Sequence, residues 1–119
     1  MTLQECYNTL GGDYQDVMNR LRSERLVQKF VLKFLDDGSF ALLTGAMETG
    51  DQETAFRAAH TIKGMCQNLS FTKLAASSSQ LTEVLRAGDM AGAQGMIGGV
   101  SEDYERTVQA IRGFQAGLA

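Results

Sequence analysis

The stretch AFRAAHTIKGMCQNLSF, Ala55 to Phe71, decides how this chain is read. Its apolar residues recur at helical spacing. On a wheel that turns about 100° per residue, Ala55, Ala58, Ala59, Ile62, Met65, Cys66 and Leu69 crowd one half. Glu53, Phe56, Arg57, His60, Lys63, Gly64 and Gln67 share the other. One face of this helix is built for burial and the opposite face for solvent. His60 is the only histidine in the chain, and it lies on the solvent face.

The surrounding sequence supports an all-helical chain. Proline is absent, which removes the commonest helix breaker and loop marker. The 13 glycines must then serve as caps and turns, with some inside helices. Leu3 to Leu10 reads as a short helix ended by Gly11 and Gly12, and Asp13 caps a second from Tyr14 to Leu21. Ser23 starts a third, with Leu26, Val27, Phe30, Val31, Phe34 and Leu35 as its stripe, up to Asp36 and the break at Gly38. Phe40, Leu43, Ala46 and Met47 mark another, closed by Gly50.

Asp51 opens the His60 helix, which runs to about Asn68. Ser70 is expected to cap the next, with Leu74, Ser78, Leu81 and Leu85 inward and Gly88 as its stop. Asp89 caps the last and longest, whose stripe is Met90, Ala93, Ile97, Val100, Tyr104, Val108 and Ile111. Gly92, Gly95, Gly98 and Gly99 lie inside it. They permit close helix approach, mark a kink, or simply weaken the helix by about 1 kcal/mol each against alanine. Connections of a few residues favour antiparallel neighbours. The expected fold is an all-α, antiparallel up-down four-helix bundle with one or two short N-terminal helices, as a single domain over residues 1–119.

Charge and composition exclude several functions. The net charge is -3 and no dense basic run occurs, which argues against nucleic-acid binding. No segment reaches the roughly 18 consecutive apolar residues of a membrane span. MTLQECYNTLGG lacks the basic-then-apolar pattern of a secretory signal, so a cytoplasmic location is expected. Cys6 and Cys66 are far apart and read as reduced thiols rather than a disulfide or metal pair. No metal ligand set accompanies His60, and nothing demands a dimer, so a monomer is expected.

The chemistry of the outward face centres on nitrogen. An exposed imidazole has a reference pKa near 6.5, so it is mostly neutral at pH 7 and keeps a free lone pair. Lys63, at i+3, can offset the charge of about -2 on a phosphoryl group. Gly64, at i+4, leaves the space beside the imidazole empty. Phe56 is either a core residue at the bundle edge or part of a docking patch; Arg57 and Gln67 lie on the rim.

These residues form H-x-I-K-G, from His60 to Gly64, with Leu69 beyond. The pattern resembles the histidine-containing phosphotransfer (HPt) domain of bacterial phosphorelays, in its stand-alone form. GGDYQDVMNRL and LVQKFVLKFLDD look like the N-terminal half of that form, and SSQLTEVLRAGD looks like the helix beside the histidine. The resemblance implies that His60 accepts a phosphoryl group from a receiver aspartate or a histidine kinase and passes it to a response-regulator receiver domain. Lys63 then stabilises the group, and Gly64 lets the receiver dock, with Phe56, Arg57 and Gln67 around it. It also implies that a polar side chain on the next helix steadies the imidazole. Thr82 holds the matching position, with Gln80 or Glu83 as substitutes, and Ser70 stands where relatives usually carry glycine.

There is no glycine-rich phosphate loop, since GGD and GGV fit neither nucleotide-binding pattern. The chain is therefore expected to have no kinase activity of its own and no cofactor, with Mg²⁺ brought by the receiver. Two rivals stand beside this reading. One is a helical module that docks receivers or kinases without being phosphorylated. The other, an enzyme using His60 as a base or metal ligand, lacks supporting groups.

Overall fold

A computed structural model describes residues 1–118. Among them are seven helices: α1 (Leu3–Leu10), α2 (Tyr14–Leu21), α3 (Glu24–Phe34), α4 (Ser39–Thr49), α5 (Gln52–Leu69), α6 (Thr72–Arg86) and α7 (Met90–Ala116). Most begin where a short polar side chain meets the first free backbone N–H groups. Thr2 and Glu5 form a reciprocal capping box at α1. Asp13, Ser23, Asp51 and Asp89 accept from the backbone of α2, α3, α5 and α7 respectively.

Ser70 corrects one expectation. It does not cap α6, whose N-cap is Phe71 without a side-chain bond. It ends α5 instead, in the left-handed region at φ 56°. A non-glycine residue there is strained unless its surroundings hold it, and the hydrogen bonds described below do so.

Helices α4 to α7 form the up-down bundle, joined by tight turns at Gly50–Asp51, Ser70–Phe71 and Ala87–Asp89. Three helices precede it, one more than the upper expectation. Helix α7, at 27 residues, spans about 40 Å at 1.5 Å per residue. The molecule's long axis is 42 Å. Helix α4 is too short to follow it. It meets the N-terminal half of α7, where the Gln94 side-chain amide donates to the Met47 carbonyl at 2.9 Å. Helix α1 packs along the other half, with Met1 beside Gly113. The N-terminal helices thus cover apolar surface on α7 that the bundle leaves bare.

Their attachment is aromatic. Tyr14, Tyr7, Phe71, Phe34, Tyr104 and Phe40 form a continuous run, with successive ring centroids 5.9, 5.5, 5.3, 6.0 and 3.9 Å apart. Tyr7 is fully buried, and its hydroxyl donates to the Leu69 carbonyl at 2.8 Å. Burial also raises both thiols, Cys6 to about 11 and Cys66 to about 12. They are free, buried and protonated at neutral pH.

The glycines of α7 do not interrupt it, and Gly95, Gly98 and Gly99 bring no other helix close. The helix is continuous, and a Cβ at Gly95, Gly98 or Gly99 would meet nothing within 4 Å. A Cβ at Gly92 would run into the Asp89 cap carboxylate. The three open glycines make no close contact, and each weakens the helix. Replacing Gly95 or Gly98 by alanine is expected to raise stability by up to about 1 kcal/mol each. A urea midpoint that falls in either variant would show that the glycine has a packing role.

Candidate functional site

The site is the outward face of α5. Ala55, Ala58, Ala59 and Ile62 are buried, and the three small alanine side chains let α4 and α6 lie close against this helix. That packing fixes the rotation of α5 about its axis. His60, Arg57, Gly64 and Gln67 are exposed, while Phe56 and Lys63 are half-buried. Every site residue expected on α5 therefore lies on one solvent-facing surface.

The groups around His60 differ in how they are engaged. Arg57 and Glu53 approach to 3.7 Å with both side chains mostly exposed, a weak pair. Lys63 belongs to none of the four ion pairs among the described residues, so its ammonium is uncommitted. A Cβ on Gly64 would meet nothing within 4 Å. The fold therefore does not require glycine at that position, although mid-helix glycine costs about 1 kcal/mol.

Thr82 is not the imidazole's support. It is fully buried, and its hydroxyl donates to the Ser78 carbonyl at 2.6 Å, one turn back on α6. A hydroxyl has one proton, so none remains for a ring on α5. Ser78 does the same toward the Leu74 carbonyl at 2.6 Å. Inside an apolar bundle these short side chains satisfy themselves locally. Neither proposed substitute takes over: Gln80 is exposed, and Glu83 pairs with Arg86 at 3.3 Å.

What touches the imidazole is a ring. Phe56 and His60 stack with their planes 5° apart and centroids 5.9 Å apart. The guanidinium of Arg86 lies over the same Phe56 ring, 4.9 Å from its centroid. Arg86 was missed from sequence. Only the lateral register of α6 against α5 brings it there, and no local pattern encodes that register.

The far end of α5 is anchored separately. Arg20 donates to the carbonyls of Gln67 at 3.2 Å and Asn68 at 2.5 Å, and to the Ser70 hydroxyl at 2.7 Å. The Ser70 hydroxyl donates to Asp16 at 2.6 Å. A cation thus meets the negative end of the helix dipole and its last carbonyls. The Ser70 hydrogen bond, with Arg20 next, holds the Asp16 carboxyl below the ordinary carboxylate range. Its contribution is present above the unfolded-state pKa and is lost as pH falls through the lower folded value.

The site is convex. A cleft lies elsewhere, between α3 and α5, lined by Phe30, Phe34, Met65 and Leu69 among others. Among the described residues, no three His, Cys, Asp or Glu side chains gather as metal ligands. Among the same residues, no helix is long and apolar enough to cross a membrane. A nucleophile on a convex helix face is open to a macromolecule.

Comparison with curated proteins and with solved structures gives no match. The family model of the Hpt domain matches residues 15–112, which takes in α2 almost from its start and most of α7. With that match over an all-helical bundle, the chain belongs to the Hpt family, whose domains carry phosphoryl groups in two-component signalling.

Proposed function

We propose that this chain is a phosphocarrier in which His60 is the phosphoacceptor. The observation that supports it most is the single open surface shared by His60, Lys63 and Gly64. A neutral imidazole uses the lone pair of its outer nitrogen, Nε2, to attack the phosphorus of a receiver's aspartyl phosphate. A P–N bond forms, the P–O bond to the aspartate breaks, and the carboxylate leaves with the electron pair. The proton already on Nδ1 stays, so the product ring is a phosphorylated imidazolium. Transfer to a second receiver runs the same exchange in reverse.

Lys63, with no carboxylate partner, offsets charge on the transferring group. The receiver supplies the Mg²⁺ and the in-line electrostatics. The chain supplies an oriented nucleophile and a docking face that includes Gly64, Arg57 and Gln67. We further propose that it acts as a monomeric, cytoplasmic single domain serving receivers and a sensor or hybrid kinase, without kinase activity of its own.

The test is transfer of label from phosphorylated receiver domains of the same host. Acid-labile, alkali-stable label on this chain is expected. If no receiver in the set donates or accepts, the proposal is wrong. Gly64 gives a sharper check. Gly64→Gln is expected to leave the fold intact, since the space is open, and to lower transfer at least tenfold by obstructing the receiver. Wild-type transfer rates in that variant would remove Gly64 from the docking face.

A second reading is favoured by one observation. No hydrogen bond from Thr82 reaches His60, which fits a helical module that docks receivers or kinases without taking a phosphoryl group. Its signature is tight receiver binding that is indifferent to His60→Ala, with no label transferred.

A further inference from the structure

We infer that Phe56, clamped by Arg86, is the positioning residue of His60. Ring stacking here does the work expected of a hydrogen bond from α6. The inference rests on reading His60 as the phosphoacceptor. Three observations carry it. The Thr82 proton is spent on Ser78. The Phe56 and His60 rings are parallel within 5° at 5.9 Å, an offset stack one helical turn apart. The Arg86 guanidinium lies over Phe56 at 4.9 Å, within cation–π range, and Glu83 holds it at 3.3 Å.

The geometry suits a nucleophile. Both imidazole nitrogens direct their lone pair or proton in the ring plane. A contact on the ring face therefore restricts the side-chain torsions and leaves both nitrogens free. A hydrogen bond would restrict the ring by occupying one of them. Without the stack, an exposed side chain spreads over about three staggered wells, and the attack-ready fraction falls about threefold. Arg86 acts one step further out. Its charge holds Phe56 against α5, and its own anchor on α6 ties the ring's position to the packing of the bundle.

Because His60 is the only histidine, its ring protons give isolated NMR signals. In the wild type they are expected upfield, shifted by the facing Phe56 ring. Phe56→Leu, which keeps apolar volume without a π face, is expected to move them downfield; Phe56→Tyr is expected to keep them. The rate test uses phosphoramidate, a small donor that needs no docking. Its P–N bond breaks with loss of ammonia as the bond to His60 forms. Phe56→Leu is expected to slow labelling about threefold, with Phe56→Tyr restoring it. With a phosphorylated receiver, kcat is expected to fall by the same factor at unchanged KM.

A rise in KM alone would make Phe56 a docking contact and overturn the inference. So would ring protons that do not move. Arg86→Met, on a largely exposed side chain, is expected to give a smaller change of the same sign, and it keeps the test open if Phe56→Leu does not fold. Wild-type protein that takes no label from either donor sinks the phosphoacceptor reading itself. Wild-type protein that takes label, with Phe56→Leu equally fast, sinks the stacking inference alone.

Discussion

Replacing His60 by glutamine is expected to abolish phosphoryl uptake while leaving the protein folded. Glutamine is polar and of similar reach, but its amide nitrogen has no available lone pair. His60 is exposed, so the change falls among surface substitutions that alter stability by about 0.5 kcal/mol or less. The chain has no second histidine to substitute for it. Label from a phosphorylated receiver should therefore drop to background, with an unchanged urea midpoint. The paired measurement matters, because lost activity in an unfolded protein would say nothing about the imidazole. Retained uptake in a folded His60→Gln protein would move the acceptor to another residue and undo the proposed function.

The largest expected effect on stability is at Phe71. This ring is completely buried. It packs against Tyr7 at 5.5 Å and Phe34 at 5.3 Å, so it joins α1 and α3 to the turn between α5 and α6. Phe71→Ala leaves a cavity where three parts of the chain meet, at a cost of about 3–5 kcal/mol. Total stability for a domain is about 5–15 kcal/mol, so the melting temperature should fall by about 10–20 °C. Phe71→Leu should recover most of the loss. At low temperature, Phe71→Ala should still transfer phosphoryl groups per folded molecule, since the cavity lies beyond the C-terminal end of α5, away from His60. A drop of only a few degrees would mean that the N-terminal helices can close onto the bundle without this ring.

The helix starts were largely legible because capping is local. Asp13, Ser23, Asp51 and Asp89 each accept from a backbone N–H within three residues, as their types and positions suggested. Ser70 misled for the same reason: a serine between two helices suits the start of the second. Its place at the end of the first depends on Arg20 and Asp16, about 50 residues away, which stabilise a left-handed backbone. The glycines of α7 left three readings open, and the empty space beside Gly95, Gly98 and Gly99 removed close helix approach from among them.

The outward placement of His60 followed from the wheel, since it depends only on a period of about 3.6 residues and a buried opposite face. The support of its ring did not. Thr82 was expected to steady the histidine, yet its short hydroxyl finds the Ser78 carbonyl first. Arg86, four residues on, reaches Phe56 instead.

The amino-acid order alone determined the helices, their buried stripes and the face on which the imidazole stands, because each depends on neighbours within about two turns. The tertiary structure decided how α1 to α3 close onto the bundle, what anchors the end of α5 and which group of α6 lies over Phe56. Those contacts join residues tens of positions apart. They arise from the sideways register of packed helices, which side-chain shape sets and local periodicity does not record.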